Sequence, residues 1–193
     1  MAPESPPGDV TWLAGHLLIA MPGMADPNFV RTVTYICEHS DQGALGIVIN
    51  RPMSMELGEV FQQLSLQDND PERARQPVLR GGPVQTERGF VLHEPSGDWD
   101  STVEVSDTVH LTTSQDILAA LAAGNGPKRA LMALGYAGWG AGQLEAEIGA
   151  NAWLSVPATA AIVFDTPFEA RWAAAAGLLG VNLAMISPEA GHA

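Results

Sequence analysis

The chain has 193 residues and a mass of 20.3 kDa, which is the size of one typical domain and is enough to bury a core without disulfides or a metal. It carries 22 acidic and nine basic residues, which gives a formal net charge of -13 at pH 7. Because binding to a phosphate backbone depends on clustered positive charge, direct nucleic-acid binding is not expected. The single cysteine, Cys37, excludes an internal disulfide and any multi-cysteine metal site.

Residues 1–10 contain three prolines and no basic region, so they predict a disordered N-terminal tail rather than a secretory signal. The remainder, residues 11–193, is predicted to form a single domain. Glycine, proline or asparagine interrupts the apolar runs before they reach the roughly 18–20 residues that a membrane span needs. One unpaired thiol fits a reducing compartment, so we expect a cytoplasmic protein without a membrane partner.

The first half of the chain predicts strands and one helix. The apolar run Leu17–Met21, ended by proline and glycine, predicts a buried strand. Residues 30–38 are rich in β-branched and aromatic types, and the apolar run 44–50 follows them after a short glycine-containing turn, which predicts a β-hairpin. Ser54 is placed to cap a helix whose apolar residues recur at helical spacing over 57–64.

The middle of the chain predicts four short strands, over residues 78–80, 89–93, 103–105 and 109–112. The Gly81-Gly82-Pro83 turn separates the first two. Thr113 and Asp116 resemble a capping box at the head of a helix that ends at Gly124.

The C-terminal part alternates further strands and helices. Strands are predicted over 129–136, 159–164 and 181–186, and helices over 143–148 and 168–179. Since strands and hairpins cluster early and helices come later, the pattern favours an α+β fold over a doubly wound parallel sheet.

Cys37 is the first candidate for chemistry, because His39 lies two residues along the same predicted strand and alternation places both on one face. A nearby base such as His39, or the more distant His93, would be needed to form a reactive thiolate. A lone cysteine in an apolar strand is more often a core residue, and we favour that interpretation over a catalytic one. No catalytic residue is therefore assigned.

A metal or cofactor is not expected either. The five histidines include no pair at the spacing of a helical metal site, and the acidic residues add no ligand pattern.

Glycine-rich turns are the remaining candidates for a ligand site. The stretch 138–142 follows a predicted strand and precedes a helix, where backbone N–H groups bind anions, but it lacks the lysine and spacing of a P-loop. A tight turn that lets Trp139 pack is the favoured interpretation. Because functional residues concentrate on loops, the ligand-binding candidates are Asn50, Arg51, Gly81, Gly82, Gly138 and Trp139.

Several stretches, taken in order and spacing, resemble the AlgH (YqgE) family of bacterial proteins over nearly the whole chain. They are GHLLIAMPGM from Gly15, DPNF from Asp26, YICEH from Tyr35, GIVINRP from Gly46, GGPV from Gly81, RGFVLH from Arg88, TTSQD from Thr112, LGYAGW from Leu134, GQLE from Gly142 and NAWL from Asn151. The resemblance implies an α+β fold with a bifurcated, partly barrel-like, mixed or antiparallel sheet flanked by helices. The family carries a transcriptional-regulator label from a genetic link to alginate production, and it brings no catalytic residues.

Three functions follow as hypotheses. The first is a non-enzymatic regulatory or adaptor protein that acts indirectly on transcription, through an unidentified protein or small-molecule partner. The second is a nucleotide or small-anion binding module that uses residues 138–142 and Arg51. The third is an enzyme that uses Cys37 with His39 or His93.

Overall fold

The computed structural model describes residues 12–186. Its strands are β1 His16–Ala20, β2 Val33–Ser40, β3 Gly43–Val48, β4 Pro52–Glu56, β5 Pro77–Arg80, β6 Val84–His93, β7 Thr102–Glu104, β8 His110–Thr112, β9 Ala130–Gly140 and β10 Trp153–Pro157. Its α-helices are α1 Leu57–Gln63, α2 Pro71–Ala74, α3 Asp116–Ala123, α4 Gln143–Gly149 and α5 Arg171–Gly177. A π-helix covers Ala161–Asp165, and 3-10 turns cover Phe168–Ala170 and Leu183–Met185.

The strands form one curled sheet in the order β10-β1-β2-β3-β9-β6-β8-β7. Every neighbouring pair along this path is antiparallel, whereas β5 joins β9 in parallel and pairs with β4 on its other side. The curled sheet makes a half-barrel against which the helices pack. The predicted α+β class and the partly barrel-like, mixed sheet are both confirmed.

Strand β9 is where the sheet divides. Its first half pairs with β5 through Ala133 and with β6 on the other side, and its second half pairs with β3 from Ala137 to Gly140. Between the halves, Gly135 has a φ of +79° and lies against the backbone of Gly82, an approach that leaves no room for a side chain. The edge of β9 is therefore shared by two strands, which explains the bifurcation.

Three apolar clusters hold the layers together, and side-chain alternation in the strands distributes residues among them. In β1, Leu17 and Ile19 join the cluster packed against α5, whereas Leu18 and Ala20 face the cluster around α4. The third cluster lies between the β6–β9 part of the sheet and the two helices α1 and α3, with Phe61 fully buried in it. Helix α5, helix α4 and the pair α1 and α3 therefore cover three different parts of the curled sheet.

The predicted hairpin is confirmed as β2–β3, but two predicted strands near the C-terminus are wrong. Residues 159–164 enter a π-helix, and 181–186 hold only a 3-10 turn. Their β-branched composition is typical of strands, yet Ile162 and Val163 are buried by packing in a helical turn, where Thr159 accepts the Ile162 N–H. The unpredicted strand β10 takes the position beside β1 instead. The helix predicted over 168–179 is confirmed over 168–177, where it is divided between a 3-10 turn and α5.

The two predicted helix caps also differ from those observed. Ser54 lies in β4, and α1 begins at Leu57 because Glu56 is the N-cap, whose N–H donates to the Glu59 carboxylate over 2.7 Å. Helix α3 has Gln115 at its N-cap position rather than Thr113.

The predicted N-terminal tail, residues 1–10, lies outside the described residues. None of the helices between residues 12 and 186 combines the length and apolar character needed to cross a bilayer.

Candidate functional site

A β-bulge separates the proposed pair of Cys37 and His39. The residues on either side of Cys37 pair with adjacent residues of β3, Gly46 and Leu45, so Cys37 is an extra residue that interrupts the alternation. Cys37 packs in the α5 cluster, whereas His39 contacts the segment that precedes β1. The prediction that these two side chains share a face is wrong.

The Cys37 side chain lies in the hydrophobic core. Its side chain is 2% exposed, and its Sγ lies 3.8 Å from the carbonyl oxygen of Tyr35. Burial, with a smaller contribution from the negative charge of Glu38, raises the pKa of the Cys37 thiol far above its ordinary value. The thiol stays protonated at neutral pH, so Cys37 is not poised as a nucleophile.

His39 connects three segments. The backbone N–H of Leu13 donates to His39 Nδ1 over 2.9 Å, and Nε2 forms a hydrogen bond with the Glu145 carboxylate of α4. The Trp12 ring lies edge-on to the imidazole at 5.1 Å. Both ring nitrogens are therefore engaged in holding the chain before β1 and helix α4 against β2.

His93 belongs to a buried polar network between β6 and β8. Its Nδ1 lies 2.8 Å from the carbonyl oxygen of Glu94, which can only accept, so Nδ1 carries the proton. Its Nε2 accepts from the Thr112 hydroxyl over 2.7 Å, and Thr112 accepts in turn from Thr102. Burial lowers the pKa of His93. The His93 side chain has no exposed surface, so it joins the two strands and does not reach a substrate.

Asn50 and Arg51 fasten the loop that precedes β2. Asn50 accepts the Val33 N–H and donates to the carbonyl of Arg31, both over 2.9 Å. The Arg51 guanidinium donates to the carbonyls of Asn28 and Val30 over 2.8 and 2.9 Å. Burial in this position lowers the pKa of Arg51.

Gly81 and Gly82 allow two backbones to approach closely. A Cβ at Gly81 would lie 2.3 Å from the Gly135 carbonyl oxygen, and one at Gly82 would lie 2.1 Å from the Tyr136 carbonyl carbon. The predicted turn between β5 and β6 is confirmed, and the close contact gives both glycines a packing role.

The strand-to-helix turn predicted over the glycine-rich stretch is confined to residues 141–142, between the end of β9 and the start of α4. Gly138 and Trp139 lie inside β9, opposite Leu45 and Ala44 of β3, so their backbone groups belong to the sheet. Trp139 is buried against Trp153 at a ring separation of 6.0 Å. Of the sequence candidates, Arg51 and Gly81 lie near each other where β3 meets β5, because the Arg80 N–H donates to the Arg51 carbonyl and the Val48 N–H donates to the Gly81 carbonyl, each over 2.8 Å. Gly138 and Trp139 lie further along β9.

A cavity lies elsewhere, between α1, α3 and the β6–β9 part of the sheet. It has a volume of about 510 Å³, within the range of small-molecule sites. Most of its wall is apolar, from Val60, Leu64, Val91, Leu118, Met132 and Leu134. Uncharged polar residues form much of its rim: Gln63, Thr113, Ser114 and Gln115. We call this cavity the α1–α3 cleft.

Asp116 fixes the shape of the rim. Its carboxylate accepts hydrogen bonds from the Ser114 hydroxyl and from the N–H groups of Asp100 and Ile117. Burial would raise the pKa of Asp116, but these hydrogen bonds outweigh it and hold the pKa below its ordinary value. The β8–α3 connection is thereby preorganised, whereas the floor contains Met132, whose unbranched side chain adapts to different shapes.

Two charged residues also line the α1–α3 cleft, Glu87 and Arg88. The Arg88 guanidinium stacks over the ring of Phe90, which does not line the cleft, at 5.0 Å from the ring centroid. The arrangement can bind an apolar body by burial and orient it by a few hydrogen bonds at the rim. Within residues 12–186, no group of three or more histidine, cysteine or acidic side chains is arranged to hold a metal ion.

The sequence does not reveal this cleft, because the wall is assembled from α1, β6, β8, α3 and β9, which are distant along the chain. The one local signal is the polar run from Thr112 to Gln115 between an apolar strand and an apolar helix, which became the rim.

The fold and cleft together define a class of protein: a curled antiparallel half-barrel with a helix-covered apolar cavity on one part of the sheet. Comparison with known proteins gives the family. The AlgH-like family model (DUF179) matches residues 17–184. The chain belongs to this family.

Individual relatives agree over their whole length. A UPF0301 protein from Saccharophagus degradans is 56% identical over 192 residues, covering 100% of this chain and 94% of its own. One from Thioalkalivibrio sulfidiphilus is 58% identical over 178 residues, covering 92% of this chain and 95% of its own.

Solved structures agree with the fold. The solution structure of the AlgH protein from Pseudomonas aeruginosa is similar with a TM-score of 0.77 and 54% identity, over 100% of both chains. A crystal structure of a protein from Corynebacterium diphtheriae has a TM-score of 0.67 at 20% identity over 86% of each chain, which supports the fold alone.

Proposed function

We propose that the protein is a non-enzymatic, cytoplasmic regulatory protein whose effector is a small, largely apolar ligand bound in the α1–α3 cleft. The observation that carries the proposal is the combination of an apolar wall with a preorganised, mostly uncharged rim around about 510 Å³. Such a cavity binds by burying apolar surface, at roughly 25 cal/mol per Å², while the rim selects for shape and polar groups.

The catalytic alternative lacks support at each residue considered for it. The Cys37 thiol is buried and protonated, His39 is engaged on both nitrogens, and His93 is sealed between strands. An effect on transcription would be indirect, because the net charge of -13 opposes contact with DNA.

Leu64→Arg tests the proposal, because it places a charge in the apolar wall at a partly exposed position. Leu178→Arg is the matched control, since Leu178 is 44% exposed and lies outside the cleft. Nile red is the probe for apolar binding. We expect saturable dye binding by the wild type and the control, and loss of at least about tenfold in affinity for Leu64→Arg, corresponding to one disrupted apolar contact of roughly 1.5 kcal/mol.

The regulatory part is tested in a strain from which the gene has been deleted. Leu178→Arg and Cys37→Ala should restore the wild-type transcript profile, and Leu64→Arg should leave the deletion profile. Restoration by Leu64→Arg would contradict a role for the cleft, and failure of Cys37→Ala despite normal folding would favour the enzyme. A promoter-fragment mobility shift that survives competitor DNA at physiological salt would contradict indirect action.

A further inference from the structure

A second cavity concentrates positive charge in an otherwise acidic chain. It has a volume of about 350 Å³ and lies between the start of α1, the first residues of β5 and β9, and the segment 164–171. Lys128, Arg129 and Arg171 line it, and Asp165 is the only carboxylate among its lining residues. The wall therefore carries three of the nine basic residues, including Lys128, the one lysine of the chain.

Arg171 is a buried cation with no carboxylate partner in the described range. Its side chain is 1% exposed, and it donates from Nε to the Thr166 carbonyl over 2.8 Å and from Nη1 to the Ile49 carbonyl over 2.6 Å. The guanidinium also stacks over Phe168 at 4.5 Å. Burial lowers the pKa of Arg171 to about 10, although the nearby negative charge of Asp165 raises it. Arg171 therefore remains charged at neutral pH.

Carbonyl groups solvate this charge without neutralising it, whereas buried charges in proteins are usually paired. Asp165 does not pair with Arg171, because its two carboxylate oxygens each accept from the Arg129 guanidinium in a bidentate ion pair. With one negative against three positive side chains, the wall keeps a formal charge of about +2.

We propose that this cavity binds a small organic phosphate. A phosphate monoester carries a charge of about −1.5 to −2 at neutral pH and offers three acceptor oxygens, which matches the charge of the wall. Guanidinium groups and lysine are the side chains that most often bind phosphate. The apolar residues Leu57, Phe164 and Phe168, which line the same cavity, would contact the organic part.

This inference does not depend on the α1–α3 cleft or on its effector. It also differs from the anion site that the glycine-rich stretch 138–142 and Arg51 predict, because neither contributes to this cavity.

The single lysine makes a direct test possible. Lys128 is exposed and is acetylated with a lysine-selective reagent in the presence of phenyl phosphate, inorganic phosphate, benzoate or sodium sulfate, all at equal ionic strength. Mass spectrometry follows the rate, with a lysine-containing peptide in the same tube as reference. We expect phenyl phosphate to slow acetylation of Lys128 at least about fivefold, because bound phosphate shields the amine. Sulfate lacks an organic part for the apolar residues of the wall, and benzoate carries only one negative charge, so both should slow acetylation less than twofold.

Binding is then measured by calorimetry with phenyl phosphate. Lys128→Gln should weaken binding about tenfold, since a charge-assisted hydrogen bond contributes roughly 1.5–3 kcal/mol. Arg80→Gln is the control, because it removes the same charge from an exposed site outside the cavity. Both positions are exposed, so both variants should fold. Equal effects of phenyl phosphate and sulfate on acetylation, or equal affinities of Lys128→Gln and the wild type for phenyl phosphate, would overturn the proposal.

Discussion

Gly81→Ala separates a packing role from a ligand-binding role at the β5–β6 turn. The added methyl carbon would lie 2.3 Å from the Gly135 carbonyl oxygen and 3.1 Å from the Ala133 Cβ. The backbone of one strand must therefore move by about 1 Å, since such contacts are forbidden by packing. Two hydrogen bonds are affected, from Gly81 N–H to the Leu134 carbonyl and from Val48 N–H to the Gly81 carbonyl, both 2.8 Å long.

Overpacking of this kind costs about 1–3 kcal/mol, and each weakened hydrogen bond adds about 0.5–1.5 kcal/mol. We therefore expect Gly81→Ala to lower the free energy of unfolding by roughly 2–6 kcal/mol, which corresponds to a fall of about 6–18 °C in Tm at roughly 3 °C per kcal/mol for a chain of this length. Urea unfolding followed by circular dichroism measures the loss, and the m-value shows whether unfolding remains two-state.

Gly149→Ala is the matched control, because no atom lies within 4 Å of its added Cβ and its backbone is not left-handed. It should be neutral or stabilise the protein by up to about 1 kcal/mol. A Gly81→Ala protein with unfolding free energy within about 0.5 kcal/mol of the wild type would refute the close-approach argument and return Gly81 to the ligand candidates.

Three further outcomes are expected. Cys37 should react with Ellman's reagent only after unfolding, because it is 2% exposed and burial raises its pKa; rapid reaction of the native protein would contradict this. The lowered pKa of His93 means that the unfolded state binds more protons, so stability should fall as pH drops below about 6.5, and His93→Gln should flatten that dependence in urea titrations from pH 5 to 7. Glu147→Ala should destabilise by about 2 kcal/mol and shift tryptophan fluorescence, because the Glu147 carboxylate accepts from the indoles of Trp139 and Trp153 over 3.4 and 3.2 Å; Glu147→Gln keeps an acceptor and should lose less than half as much.

Local sequence predicted those elements whose signals are local. The β2–β3 hairpin followed from two β-rich runs and a glycine-containing turn, and the Gly81-Gly82-Pro83 turn followed from its composition. The segment 159–164 failed because apolar, β-branched residues are buried equally well in a strand or in a packed helical turn. Periodicity alone does not distinguish the two in so short a run.

The contacts of the candidate site residues could not be predicted for a different reason. The prediction that Cys37 and His39 share a face assumes that side chains alternate along β2 without interruption. The bulge at Cys37 breaks this alternation, and it arises from the pairing of β2 with β3, which the residues of β2 alone do not specify. Arg51 lies at a strand end where a ligand contact was reasonable, but the carbonyls of Asn28 and Val30 take its donors through the fold of another loop. Whether a polar side chain is available to a ligand depends on its tertiary hydrogen bonds, which the neighbouring sequence does not determine.

Most of the basic side chains of this acidic protein are likewise engaged in tertiary contacts. Arg51 and Arg73 donate to backbone carbonyls, and Arg31 stacks over Trp172 at 4.5 Å. Guanidinium groups engaged in this way stabilise loops and cannot also track the backbone of a polyanion, so the expectation of no direct DNA binding rests on geometry as well as on net charge. Lys128 and Arg171 line one cavity instead, where a small anion would gain from both charges. Three of the nine basic residues therefore lie at a cavity whose size suits a small anion.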